Sequence, residues 1–306
     1  MNNLQILIAN YLEYCQNQKR LDSKTINAYR IDLRQFSEQN ISKDVSNITT
    51  DMLENYIATL HQKYKPKTVK RKIASIKAFF HYLEYKEIIT TNPFSKIQVR
   101  FREPVILPKT IPLHTIEKFL AAIYNRYHNA KTTYQKDCAL RDAAVIELLF
   151  ATGMRISELC SLKICDVNLY DRTVLIYGKG AKERIIQIGN DDVIKILNTY
   201  KNTFLAQMQG CNHFFANPNG TALSDQSVRR MIKKYATLAG IELHITPHMF
   251  RHTFATSLLE ADVDIRYIQE MLGHSSINIT EIYTHVTMSK QRDILTEKHP
   301  RKNFKV

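Results

Sequence analysis

Apolar residues recur every three to four positions in four stretches of the first 90 residues, near 4–17, 23–39, 50–64 and 66–86. That period lays one apolar stripe along each of four helices. Ser23 and Thr50 stand where N-caps belong, and Pro66 suits the first turn of the fourth helix. Further along, the same period predicts helices near 115–127, 137–151, 190–207, 225–239, 247–260, 264–272 and 277–285, with Arg155 at a turn into a further helix just after Gly153. Between them the period changes. TVLIY (173–177) and RIIQI (184–188) are two β-branched runs around GKGAKE, the pattern of a hairpin. The expected fold class is mainly α: a four-helix N-terminal domain, then a mixed α/β domain with a small antiparallel sheet.

Glycine and proline mark the division. All eight glycines lie at or after Gly153, so the first half avoids tight turns with positive φ. Four of the eight prolines, Pro93, Pro104, Pro108 and Pro112, fall within twenty residues. Proline lacks the backbone donor and disfavours helix in the residue before it, so this segment is expected to be an extended linker. The expected domains are 1–95 and 113–306, joined by a linker at 96–112. No repeat of 20–50 residues is visible.

Composition adds a partner. The chain has 306 residues, and a hydrophobic fraction of 44% is enough for two cores. Charge is unusual: 43 Lys+Arg against 29 Asp+Glu leave +14, with a pI near 9.5. Such an excess suits a polyphosphate, because each neutralised phosphate releases condensed counterions. Residues 1–100 hold 16 Lys+Arg against 9 Asp+Glu, half of the excess in a third of the chain. Lys65, Lys67, Lys70, Arg71, Lys72 and Lys77 crowd the start of the fourth helix, interleaved with Tyr64, Thr68 and Ser75. A solvated face and a DNA-backbone surface both fit that pattern. No run of 18 apolar residues offers a membrane span, and the first twenty residues lack a secretory signal pattern. Five scattered cysteines point to reduced thiols, so a cytoplasmic protein is expected.

Phosphate-loop, GxGxxG and HExxH motifs are absent. Cys160, Cys165, Cys211 and His213 have no common zinc spacing, and Cys160 sits in the apolar run ISELCSL, so no metal site is expected. What remains is a set of cations, imidazoles and one tyrosine in short motifs. HITPHMFRHTFATSLLE has Thr246 as N-cap and Pro247 in the first turn, with His248 and Arg251 three apart on one face. That pair can reach one phosphate, or can serve as a structural cap. Arg155 follows Gly153 and has Glu158 as a neighbour; Lys179 lies between Gly178 and Gly180; His274 follows Gly273, and Tyr283 comes nine residues later. Taken singly, each of these residues also fits a packing or solvated role.

Taken in order, Arg155, Lys179, His248, Arg251, His274 and Tyr283 resemble the catalytic set of the tyrosine recombinases, the phage-integrase-like family, and within it the Xer branch. The motifs are ATGMRISEL, GKGAKER, HMFRHTFAT and LGHSSINITEIYTHV. TINAYRIDLRQF is similar to the Xer core-binding domain, so the likeness runs through nearly the whole chain. Phe250 and Ser257 depart from residues common in that branch. The polar stretch 124–137 is expected to lengthen the loop before the second helix of the catalytic domain.

The resemblance implies a SAM-like, four-helix core-binding domain ahead of a catalytic domain. It also implies a site-specific recombinase that works through a 3′-phosphotyrosyl link and a Holliday junction. Tyr283 would be the nucleophile and His248 its base; Arg155, Arg251 and His274 would stabilise the phosphate, and Lys179 would be the general acid. Glu158 would orient Arg155. No cofactor is implied. The partners would be duplex DNA with short inverted repeats and three further protomers, in a homotetramer or a heterotetramer with a second recombinase. Chromosome-dimer resolution and integration or excision of a mobile element both use this reaction. The rivals are a type IB topoisomerase and a DNA-binding protein that kept the fold and lost the reaction.

Overall fold

The computed structural model describes residues 3–40, 44–97, 108–178 and 183–273. Lys179, His274, Tyr283 and the helix expected at 277–285 lie outside them. The chain divides into two compact units, Met1–Val105 and Ile106–Val306.

The first unit holds α1 (Asn3–Asn17), α2 (Ser23–Gln39), α3 (Thr50–Lys63) and α4 (Pro66–Tyr85). Helix α4 packs on the other three, because its apolar residues cover more than half of its circumference. Tyr11, Phe36, Phe79, Phe80 and Leu83 form the centre, with tilted or edge-on ring pairs such as Tyr11–Phe79 and Phe80–Phe94 at 5.5 and 5.6 Å. The N-caps fall one residue before those expected. Asp22 caps α2 through Lys24 N, and Thr49 caps α3 through Met52 N, so Ser23 and Thr50 are already helical. Pro66 does open α4.

The second unit is built on α6 (Thr133–Thr152). Ten of its fourteen residues from Ala139 to Thr152 are buried, the mark of a helix enclosed on most sides. Around it pack α5 (Leu113–His128), α7 (Ile156–Ser161), α8 (Asp191–Thr203) and α11 (Pro247–Glu260). Helices α9 (Leu205–Cys211), α10 (Asp225–Leu238) and α12 (Ile265–Leu272) complete the set. Three corrections arise here. The polar stretch 124–137 does not lengthen a loop: α5 runs through His128 and α6 starts at Thr133, so most of it is helix. The single helix expected at 190–207 breaks at Phe204, whose buried ring lies 4.7 Å from that of Tyr200. Ile111, expected in the linker, is buried in this unit's core, and its N–H donates to Thr253 Oγ1 at 2.8 Å.

The sheet has antiparallel order β1-β2-β3: Val167–Asn168, Thr173–Tyr177 and Glu183–Gln187. The two-residue β1 is too short to show as a pattern. The hairpin register pairs Val174 with Ile186, Leu175 with Ile185 and Ile176 with Arg184. Val174, Ile176 and Ile186 face the core; Ile185 and Tyr177 face outward. Among the described residues, no helix is long and apolar enough to cross a membrane.

Candidate active site

Helix α6 ends because Gly153 takes the left-handed conformation (φ 58°) while its N–H still bonds Leu149 O at 3.1 Å. A Cβ there would lie 2.5 Å from the Phe254 ring, so only glycine fits. Two residues later Arg155 forms the N-cap of α7. Glu158, one turn on, accepts from Arg155 N at 2.9 Å and from Arg155 Nη1 at 2.6 Å. The Arg155 side chain is 34% exposed and Glu158 only 5%. Thus the carboxylate is inside and the guanidinium reaches the surface, tethered at its inner side.

Glu158 has a second cation. Arg184 enters from β3 and places Nη1 3.2 Å from Oε1 and Nη2 2.8 Å from Oε2. Burial alone would raise the Glu158 carboxyl. The hydrogen bonds from Arg184, from the Arg155 N–H and from the Arg155 guanidinium outweigh it and hold the group below its ordinary value. The glutamate is therefore ionised at neutral pH.

Helix α11 starts at Pro247, behind Thr246 as expected. His248 is exposed at its first turn. Arg251 is 4% exposed and donates from Nη1 to Gly153 O at 2.9 Å and from Nη2 to Leu272 O at 2.7 Å. These bonds fix the guanidinium plane and tie the end of α6 to the end of α12. His252 is half-buried; burial first, then the neighbouring His248 and Arg251, push it down to about 4, so it is neutral at pH 7. Of the expected site, the fold thus connects Arg155, Glu158 and Arg251 through the turn at Gly153, and sets His248 one turn ahead of Arg251. Lys179, His274 and Tyr283 lie outside the described residues.

Two residues of this region, Arg184 and His252, were not anticipated. Arg184 did leave a trace. In RIIQI, alternation puts Arg184 on the same side as Ile186 and Ile188, so a charge on the buried face was legible.

In the first unit, Lys65, Lys67, Lys70, Arg71 and Lys77 are exposed. Lys72 is not on that surface, which corrects its expected role in DNA binding. Its side chain is 3% exposed, and its Nζ meets Asp32 Oδ1 at 3.1 Å, bonds Gln35 Oε1 and lies 4.8 Å from the Tyr64 ring centroid. The reason is helical phase. Lys72 falls between Val69 and Ser75 on the buried side of α4, opposite Lys67 and Lys70. Arg71 also bonds Asp32, but from a side chain that is still partly exposed. Among the described residues, no three His, Cys, Asp or Glu side chains gather in a metal-binding group.

Residues 115–290 match the phage integrase family, and residues 8–87 match the N-terminal SAM-like domain of phage integrases. A tyrosine recombinase of Agathobacter rectalis is 70% identical over 304 residues, covering 99% of both chains. The tyrosine recombinase XerD of Listeria monocytogenes is 36% identical over 304 residues, covering 96% of this chain and 99% of that one. In fold the chain is similar to the XerH site-specific recombinase in a post-cleavage complex with palindromic difH substrate. That match has a TM-score of 0.76 and 24% identity, covering 95% of this chain and 83% of that one. The lambda integrase tetramer on a Holliday junction matches with a TM-score of 0.70 and 18% identity, covering 92% of this chain and 76% of that one. With the arginines held at the Gly153 turn and both family domains spanned, the chain belongs to the phage integrase family and is a tyrosine-type site-specific recombinase.

Proposed function

We propose that this recombinase exchanges strands between two short inverted-repeat DNA sites, within a tetramer, through a Holliday junction. The observation that carries the reading is the convergence of Arg155 and Arg251 on one turn: Arg155 follows Gly153 by two residues, and Arg251 bonds the Gly153 carbonyl. Two guanidiniums at one backbone turn, one of them partly exposed, suit a phosphate whose non-bridging oxygens gain charge during displacement.

In this reading the phenol oxygen of Tyr283 attacks the scissile phosphorus. The Tyr–O–P bond forms as the P–O5′ bond breaks. A phenol with a pKa of about 10 is a weak nucleophile, so His248 takes its proton. Arg155, Arg251 and His274 stabilise the pentavalent state, and Lys179 gives a proton to the leaving 5′-oxygen. Glu158 keeps Arg155 aimed. The 5′-hydroxyl of the partner duplex then reverses the reaction on the 3′-phosphotyrosyl link. The link conserves the phosphodiester, so the exchange needs no nucleotide. The exposed cations of α4 would contact the DNA backbone. The likeness in fold to lambda integrase, a tetramer on a Holliday junction, supports a tetramer here, and the relatives named XerD are tyrosine recombinases.

The test needs no known site. Wild-type protein and Tyr283→Phe are mixed with sheared DNA of the source organism, quenched in SDS, and the protein-linked DNA is sequenced. Wild-type should enrich one short imperfect palindrome and the variant none. One chromosomal locus would assign dimer resolution, and sites at element ends would assign integration or excision. Covalent DNA on Tyr283→Phe would sink the mechanism. Binding by the wild-type without any covalent product would favour the DNA-binding rival.

A further inference from the structure

An arginine on the core-facing side of a strand demands an explanation. Alternation along β3 turns Arg184 to the same face as Ile186, across from Ile176, and its side chain is only 9% exposed. A buried guanidinium is costly unless its donors are met. Here all three nitrogens are engaged. Nη1 and Nη2 take the two oxygens of Glu158, and Nε donates to Met271 O at 2.8 Å.

Resting on the recombinase reading above, we infer that Arg184 is a positioning residue for the phosphate chemistry. It acts through Glu158 to hold the Arg155 guanidinium, and through Met271 O to hold the end of α12 at a set distance from it. Arg184 enters from the strand side of Glu158 and Arg155 from the helix side. With both guanidiniums in place, the carboxylate cannot rotate, so Arg155 inherits a fixed direction. Removing Arg184 leaves Glu158 held, among the described residues, by Arg155 alone, through its backbone N–H and its guanidinium, and takes away the two bonds that fix the carboxylate from the strand side. The α12 link is equally specific. Gly273 has φ 64°, and a Cβ there would lie 3.1 Å from both Cδ and Nη1 of Arg184. Bare backbone lets the helix end close over the arginine. Lysine cannot substitute, since one nitrogen cannot span a carboxylate and a carbonyl with planar fork geometry.

The rival account is a plain structural ion pair holding the hairpin. The two accounts separate in Arg184→Gln, Arg184→Lys and Glu158→Gln, the last breaking the same link from its other end. One readout is the side-chain ¹⁵N signal of Arg155, identified by its loss in Arg155→Lys, whose relaxation reports how ordered the guanidinium is. The other is the rate of covalent trapping at saturating protein, set beside DNA affinity. Folded Arg184→Gln and Arg184→Lys should show a disordered Arg155 signal and bind DNA within about threefold of wild-type. Their trapping should be slower by about 100-fold, the scale of a small misplacement at a reacting centre. Adding Arg184→Gln to Glu158→Gln should cost less than about threefold more, because both changes cut one connection. An Arg155 signal as ordered in the variants as in wild-type would overturn the inference. So would trapping and DNA affinity that fall together with the folded fraction. Wild-type protein that traps no DNA would count against the recombinase reading, and the Arg155 signal would still decide the role of Arg184.

Discussion

Arg184 and Arg251 hold consecutive carbonyls at the end of α12: Arg184 Nε donates to Met271 O at 2.8 Å, and Arg251 Nη2 donates to Leu272 O at 2.7 Å. The last carbonyls of a helix have no intrahelical donor and form its negative end, so two guanidiniums satisfy both needs. Each arginine also reaches elsewhere, one to Glu158 and the other to Gly153 O. The ends of α6 and α12, the start of α7 and strand β3 are thereby joined at a single cluster.

Glu158 should give the fold an acid limb. Its folded pKa lies below the ordinary carboxylate value, so its contribution is complete above about pH 4.3 and is lost as pH falls through the lower folded value. Urea unfolding of wild-type and Glu158→Gln across pH 2.5 to 7 should show a stability gap that narrows only below that point. A gap independent of pH would contradict the assignment.

His252 should act in a different window and with the opposite origin. Its folded pKa of about 4 lies below the ordinary 6.5, so the unfolded chain takes up the proton first. Stability should therefore fall as pH drops from about 6.5 to about 4, by roughly 1–2 kcal/mol once solvent screening of a half-buried ring is allowed for. His252→Gln should flatten that segment of the curve and leave the limb of Glu158 in place.

Asp32 holds the core of the first unit by a buried charge. It accepts from Lys72 at 3.1 Å and from Ser75 Oγ at 3.1 Å, and also bonds Arg71. Asp32→Ala leaves the buried Lys72 ammonium without its carboxylate and should destabilise the unit by about 3–5 kcal/mol. Lys72→Met should cost less, since Asp32 keeps Arg71 and Ser75. Denaturant midpoints of the two variants give the order directly.

The exposed lysines of α4 should affect binding and not folding. Changing Lys67, Lys70 and Lys77 to Ala should reduce the salt dependence of DNA affinity by roughly one unit of slope for each phosphate no longer neutralised. The Lys72→Met protein, compared under conditions where it is folded, should keep the wild-type slope. Equal slopes for the triple variant and wild-type would place the DNA on another surface.

Long, strongly periodic segments were legible along the chain. Helices α1 to α4, α10 and α11 emerge within a residue or two because their apolar stripes repeat over three or more turns. Punctuation was less legible. Asp22 and Thr49 cap where Ser23 and Thr50 offered the same chemistry one residue later, and β1 is too short to carry a period. The break at Phe204 has no glycine or proline to announce it, and its ring is buried beside Tyr200 in the core.

The candidate site divides in the same way. Motif order along the chain proposes Arg155, Glu158, His248 and Arg251 as candidates, and their spacing on one helix or at one turn is a local property that the fold keeps. Which partners the buried cations take was decided only in three dimensions. Lys72 sits in a run of six basic residues, yet helical phase turns it onto Asp32, 40 positions away. Arg184 belongs to the motif GKGAKER, yet its partners Glu158 and Met271 lie 26 and 87 positions away. The sequence by itself determined the helices, the hairpin and the chemistry on offer. The tertiary structure decided which charges face solvent and which hold others in place, since burying a cation requires a partner that only the folded chain brings within reach.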